Sequence, residues 1–226
     1  MQMHRLAIYD MDRTITRAGT WTPFLLHTLE GRQRWRIALL PVAVLLAAGY
    51  ASKLYSRGRL KELTQRLMLG REVPAETLRT LSHRFAERTL QKGVFADAVK
   101  QIAADRAEGR TLVLATASYR FYAAEIAARL GFDHVIATDS KLGATGALLP
   151  QIDGENCYGP GKLRMIESWY AAQGLRREDT HVRFYSDHVS DAPVFEWADE
   201  PVAVNAHPPL RMLAKARGWR ILDWTA

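Results

Sequence analysis

At 226 residues, 48% hydrophobic and 24% charged, the chain suits one globular unit with room for an insert. That composition excludes a disordered, collagenous or disulfide-stapled protein, and the single cysteine, Cys157, permits no internal disulfide. Lys and Arg total 31 against 24 Asp and Glu, and residues 31–72 carry the whole excess of +7, with nine cations (Arg32, Arg34, Arg36, Lys53, Arg57, Arg59, Lys61, Arg66 and Arg71) and two acids (Glu62 and Glu72). So local a positive field suits an anionic substrate, an anionic bilayer or nucleic acid, and as a solvated helix face it needs no partner.

Residues 5–10 (RLAIYD) form a short apolar run ending in an acid and read as a buried strand. Asp10 and Asp12 interrupt the apolar start that a signal peptide needs, so a cytoplasmic protein is expected. Residues 20–90 read as helical. Within them, 37–52 is uncharged but shorter than the roughly 18–20 apolar residues of a membrane span, and Pro41 and Gly49 weaken it as a soluble helix. It is expected as the buried centre of the helical insert or as an interfacial helix. After Pro74 a helix is predicted with Leu78, Leu81 and Phe85 on one face.

Residues 95–109 read as a helix stopped by Gly109, 111–116 (TLVLAT) as a strand, 122–131 as a helix and 134–138 as a third strand. Gly143, Gly146 and Gly154 mark a turn-rich stretch with the spacing of a hairpin. A helix over 162–174 and strands over 182–187, 202–205 and 220–224 complete the chain. Alternating strands and helices predict an α/β fold, a doubly wound parallel sheet with an inserted α-helical cap. The boundaries expected are residues 1–18 and 92–226 for the core and 19–91 for the cap.

In such sheets ligands bind beyond the carboxyl ends of the strands. Those ends carry Asp10, Asp12 and Thr14 on the first strand, Thr116, Ala117 and Ser118 on the second, and Asp187, His188 and Asp191 after the strand at 182–187, while Lys162 opens a helix after YGPG. Clustered carboxylates call for a hard cation such as Mg²⁺. A carboxylate can act as nucleophile, a second one can move protons, and lysine and hydroxyl groups can hold phosphate oxygens.

The segments DMDRT, LATAS, a helix-opening lysine and SDHVSD, in that order, resemble the four motifs of the haloacid dehalogenase-like superfamily. The phosphoserine-phosphatase-like branch, with its C1 helical cap and Rossmann-like core, is most similar. The resemblance implies a Mg²⁺-dependent phosphomonoester hydrolase working through an aspartyl-phosphate. It makes Asp10 the nucleophile and a Mg²⁺ ligand, and Asp12 the general acid/base with its backbone carbonyl on the metal. It assigns Thr116, Ala117 and Lys162 to the phosphate and Asp187 to Mg²⁺, with Thr14, Ser118 and Asp191 in support. Read without the resemblance, Thr116 and Asp191 are equally helix caps, and His188 is a rim residue.

Two departures bear on the substrate. Phosphoserine phosphatases place a glutamate nine positions past the nucleophile, where this chain has Gly19 beside Thr20, and a glycine pair where Ala117 and Ser118 stand. Both count against phosphoserine itself. Lipid phosphatases of the branch are similar in the apolar, cation-flanked cap segment. The substrate is therefore expected to be a small metabolite phosphate or an amphiphilic, lipid-like phosphate, with peripheral contact to an anionic membrane. A phosphoserine phosphatase proper, or a non-catalytic binding protein on this scaffold, is the alternative, and no nucleic-acid-binding motif is present.

Overall fold

Side-chain alternation along the first strand decides the layering. Leu6 and Ile8 pack into one buried cluster, and Ala7 and Tyr9 into another on the opposite face. The same period of two recurs in the neighbouring strand, with Val113 and Ala115 on the first side and Leu112 and Leu114 on the second. A sheet apolar on both faces must be covered twice.

The computed structural model describes residues 3–225, and the side chains of residues 31–33, Arg32 among them, lie outside the described set. Strand β1 (His4–Tyr9) is followed by helices α1 (Trp21–His27), a 3₁₀ segment (Gly31–Leu39), α2 (Leu40–Ala51), α3 (Arg57–Leu69), α4 (Ala75–Lys92) and α5 (Ala96–Ala107). Then come β2 (Thr111–Tyr119), α6 (Arg120–Leu130), β3 (His134–Leu142), β4 (Leu148–Asp153) and α7 (Pro160–Ala172). The chain ends with β5 (Thr180–Ser186), α8 (Ala192–Trp197), β6 (Glu200–Val204), α9 (Pro208–Arg217) and β7 (Arg220–Leu222). The sheet order is β4-β3-β2-β1-β5-β6-β7, parallel except for β4, which pairs antiparallel with β3 as the expected hairpin. Connections from β1 and from β5 run to opposite sides, so the switch point lies between these two strands, and the crevice at their carboxyl ends is the ligand position of such sheets.

Residues 19–91 contribute helices to one face. Phe24, Leu25, Met68 and Phe85 share a single cluster with Tyr9, Leu112 and Tyr122, so the insert packs through the same core as the sheet. Leu78 and Leu81 pack against that cluster beside Phe85, as the helical spacing predicts. Strand β2 continues to Tyr119, past the 111–116 read from the sequence, because its pairing with β3 shifts register between Thr116 and Tyr119 and then resumes.

The largest departure concerns residues 37–52. They are not the buried centre of the insert: α2 has no buried residue, and Val44 and Leu45 are 67% and 70% exposed. Pro41 sits in the first turn of α2, where its missing N–H costs nothing. Gly49 is a packing site, since a Cβ there would meet the Tyr55 hydroxyl at 2.8 Å. The helical run Arg34–Ala51 is also long and apolar enough, by length and composition, to cross a membrane. The uncharged stretch alone falls short of that length, and the preceding 3₁₀ turns make up the difference.

Candidate active site

After β1 the backbone turns sharply. Arg13 takes a left-handed conformation (φ 62°), and the Met11 carbonyl accepts from the N–H groups of Ile15 and Thr16, both at 2.9 Å. This turn keeps Asp10 and Asp12 on one loop at the switch point. Asp10, Asp12, Ala117, Lys162, Asp187 and Asp191 all line one cavity of about 290 Å³. Three strand ends and the start of α7 thus converge as the motif order predicts.

Lys162 sits at its base, 2% exposed. Its Nζ donates to Asp10 Oδ1 at 2.8 Å and to Asp191 Oδ2 at 2.5 Å. Burial opposes the lysine's charge, but the Asp10 and Asp191 carboxylates outweigh it and hold the ammonium above the ordinary lysine range. Asp191 also accepts from Ser186 Oγ at 2.7 Å, and its Oδ1 is buried without a partner among the described residues. Its side chain makes no cap bond to α8, so it anchors Lys162 and does not serve as a helix cap.

Asp12 is held differently. Its Oδ1 accepts from Thr20 N–H (2.8 Å) and Thr20 Oγ1 (2.7 Å), and its Oδ2 from Ser118 Oγ (2.9 Å). Ser118 is therefore a support for Asp12. Thr14 Oγ1 donates to Asp10 Oδ2 over a long 3.4 Å, which ties the motif loop to itself.

Thr116 departs from its expected place. It is fully buried, it is not on the cavity wall, and its hydroxyl accepts from Ser118 N–H at 3.1 Å. Ala117, beside it, lines the cavity. Nor does Thr116 cap a helix, since α6 starts after Tyr119 without a side-chain cap.

Burial raises Asp10 to about 6, against the pull of Lys162 and with the help of Asp191 and Asp12. Burial also raises Asp187, to about 7, with the Asp10 charge adding to the rise. Two buried oxygen donors that resist ionising together fit Mg²⁺, which takes one or two carboxylates and completes its shell with water and phosphate oxygens. Among the described residues no group of three or more His, Cys, Asp or Glu side chains is placed to hold a metal, so an all-side-chain cage is not what the site provides.

At the rim, His188 stacks on His207 with ring centroids 4.2 Å apart, and burial and His207 lower its pKa. Cys157 is buried and its thiol is pushed up to about 12 by burial, which disfavours the nucleophilic thiolate.

Arg57 and Lys61 belong to no motif in the chain, yet both reach the site. The Arg57 guanidinium lies 4.4 Å over the Tyr158 ring and lines the cavity. Lys61 is 6% exposed, and its Nζ donates to the Ala117 carbonyl (2.6 Å) and Asn156 Oδ1 (3.0 Å). Burial, with Arg57 nearby, lowers Lys61 to about 7. The signal was present: two cations four residues apart share one helix face.

The family of haloacid dehalogenase-like hydrolases matches residues 7–196. A protein of Streptomyces azureus named for inhibition of morphological differentiation is 29% identical over 96% of this chain and 78% of its own length. A phosphoserine phosphatase of Mycobacterium tuberculosis is 33% identical over 51% of this chain, and the match takes in only 37% of that protein. A crystal structure of a Bordetella pertussis protein of unknown function superposes with a TM-score of 0.86 at 27% identity, over 98% of this chain and 99% of that one.

Proposed function

This chain belongs to the haloacid dehalogenase-like hydrolases and is a phosphatase, and from that premise we propose that it cleaves phosphomonoesters through a phosphate carried on Asp10. The observation that carries the proposal is the Asp10 carboxylate, tethered by Lys162 at 2.8 Å and followed two residues later by Asp12 on the same cavity wall. Thr14 and Lys162 fix the direction of the attacking carboxylate.

In the first step an Asp10 oxygen attacks phosphorus, the ester P–O bond breaks, and Asp12 gives a proton to the leaving alcohol oxygen. In the second, Asp12 takes a proton from water as it attacks the same phosphorus, which releases phosphate and restores Asp10. Thr20 and Ser118 hold Asp12 in place between these transfers. Lys162 offsets the negative charge that gathers on the phosphoryl oxygens. Mg²⁺, held by Asp10, Asp187 and the Asp12 backbone carbonyl, would draw further charge from those oxygens. Phosphate release from p-nitrophenyl phosphate tests the reading. Release should require Mg²⁺, stop with chelator and vanish in Asp10→Asn. Folded protein with no release would overturn it and favour a binding protein on this scaffold, and an active Asp10→Asn would overturn Asp10 as the carrier of the phosphate.

A second observation favours an enzyme seated on the face of an anionic membrane. α2 is apolar on all sides, yet none of its residues is buried, and Trp35 and Leu54 beside it are 62% and 75% exposed. A helix of that composition needs a cover. Arg34, Lys53 and Arg59 flank it, a charge pattern that complements anionic headgroups. α2 packs on α3, which favours lying in the interface over crossing it.

A further inference from the structure

A second cavity of about 810 Å³ adjoins the catalytic one. Its walls are mostly apolar, with Trp21 and Leu25 from α1, Leu40, Ala43 and Ala47 from α2, and Met68 from α3, and Thr22 and Thr64 add hydroxyls. Five residues line both cavities, Asp12, Arg13, Gly19, Arg57 and Ala117, so the two spaces meet at the general acid/base. That junction is where the alcohol oxygen must sit when Asp12 protonates it. Whatever the alcohol carries therefore extends into the apolar space.

We infer that this cavity is the leaving-group site and that the substrate is a phosphomonoester of an alcohol with a long apolar body. The inference rests on the phosphatase reading above. Size and lining both fit, since pockets of roughly 300–1,000 Å³ with apolar walls and a few polar groups at one end bind such molecules. Beside Asp12 the junction carries two guanidinium groups, Arg13 and Arg57, with Lys61 behind them. They suit the anionic headgroup and disfavour an ammonium-bearing alcohol.

Gly19 makes the junction possible. Among the described residues nothing lies within 4 Å of a Cβ built at Gly19, and its backbone lies outside the left-handed region, so the missing side chain is open space through which the two cavities join. A glutamate at this point, as in the phosphoserine-phosphatase pattern, would project a carboxylate into the passage.

The test is a series of methyl, butyl, hexyl, octyl and decyl phosphates, each below its critical micelle concentration, with p-nitrophenyl phosphate and phosphoserine beside them. Burial of each methylene should raise kcat/KM about three- to fourfold until the cavity is full. Phosphoserine should fall about 100-fold or more below octyl phosphate. In Ala43→Trp the indole takes up the cavity, and the dependence on chain length should flatten, a ratio that does not depend on how much protein folds. A flat or falling series from an enzyme that turns over p-nitrophenyl phosphate overturns this inference and leaves the phosphatase reading standing. An undiminished slope in Ala43→Trp overturns the cavity as its cause. No Mg²⁺-dependent turnover of any ester overturns both readings.

Discussion

The Nζ of Lys61 lies 2.6 Å from the carbonyl oxygen of Ala117, so a buried cation on an inserted helix fastens the strand end that walls the catalytic cavity. The same ammonium donates to Asn156, which also accepts from Thr138 Oγ1 at 3.0 Å. The insert therefore grips the core at the site itself. Lys61→Met keeps the length of the side chain and removes the grip. Small displacements of positioning groups cost about 10²-fold in rate. kcat/KM for p-nitrophenyl phosphate should drop by about that factor, while circular dichroism remains native. An unchanged kcat/KM would remove Lys61 from the account.

The buried acids give the metal-free protein a distinctive dependence on pH. Asp10 and Asp187 are raised to about 6 and about 7, chiefly by burial, against about 3.9 in an unfolded chain. Between about pH 4 and 7 the folded state binds more protons, so stability falls as pH rises through that window. Lys61 works in the opposite sense: burial lowers it to about 7 from about 10.4, so its contribution grows as pH rises above 7. Melting temperature in chelator should pass through a minimum near pH 7. Mg²⁺, which favours the ionised carboxylates, should remove the fall on the acid side. A flat profile in chelator between about pH 4.5 and 7 would contradict the assignment.

Away from the site, Asp105 is fully buried and accepts from the Tyr9 hydroxyl and the Arg183 guanidinium, with Arg110 at 3.8 Å. Removing one partner of such a network strands the other charges in the core. Asp105→Ala should cost about 3–5 kcal/mol of stability by denaturant titration. Its kcat at a temperature where it remains folded should match the parent. A loss below 1 kcal/mol would show that the arginines find water instead.

Membrane contact is tested on side chains that do not line the apolar cavity. Leu45 and Leu54 are 70% and 75% exposed. Co-sedimentation with vesicles rich in anionic lipid should be clear at low salt and weaken as salt rises, because the flanking cations act through a screened field. Leu45→Glu with Leu54→Glu should abolish it without changing the melting temperature. Parent protein that stays in the supernatant at low salt would refute the contact.

Much of this was legible in the chain. The strand ends that carry Asp10, Ala117 and Asp187 follow from apolar runs closing on polar residues, and the helix start that carries Lys162 follows from YGPG. What was not legible depends on tertiary geometry. Thr116 and Ala117 are adjacent in sequence, and only the folded chain shows which one lines the cavity. Exposure of α2 was hidden because an apolar run has the same composition whether the core or a bilayer covers it. Lys61 looks in the sequence like any other cation of the basic run, since nothing local marks a lysine whose partners are 56 and 95 residues away.

The most direct test of the central claim is to locate the phosphoryl group. Asp12→Ala should form the phosphate on Asp10 but release it slowly, for want of a base to activate water. Acid quench after mixing with an activated ester such as p-nitrophenyl phosphate and Mg²⁺, followed by peptide mass spectrometry, reads the site. The account predicts one added phosphoryl group on the peptide that contains Asp10, and none in Asp10→Asn. Phosphate on any other residue, or turnover that survives Asp10→Asn, would contradict it.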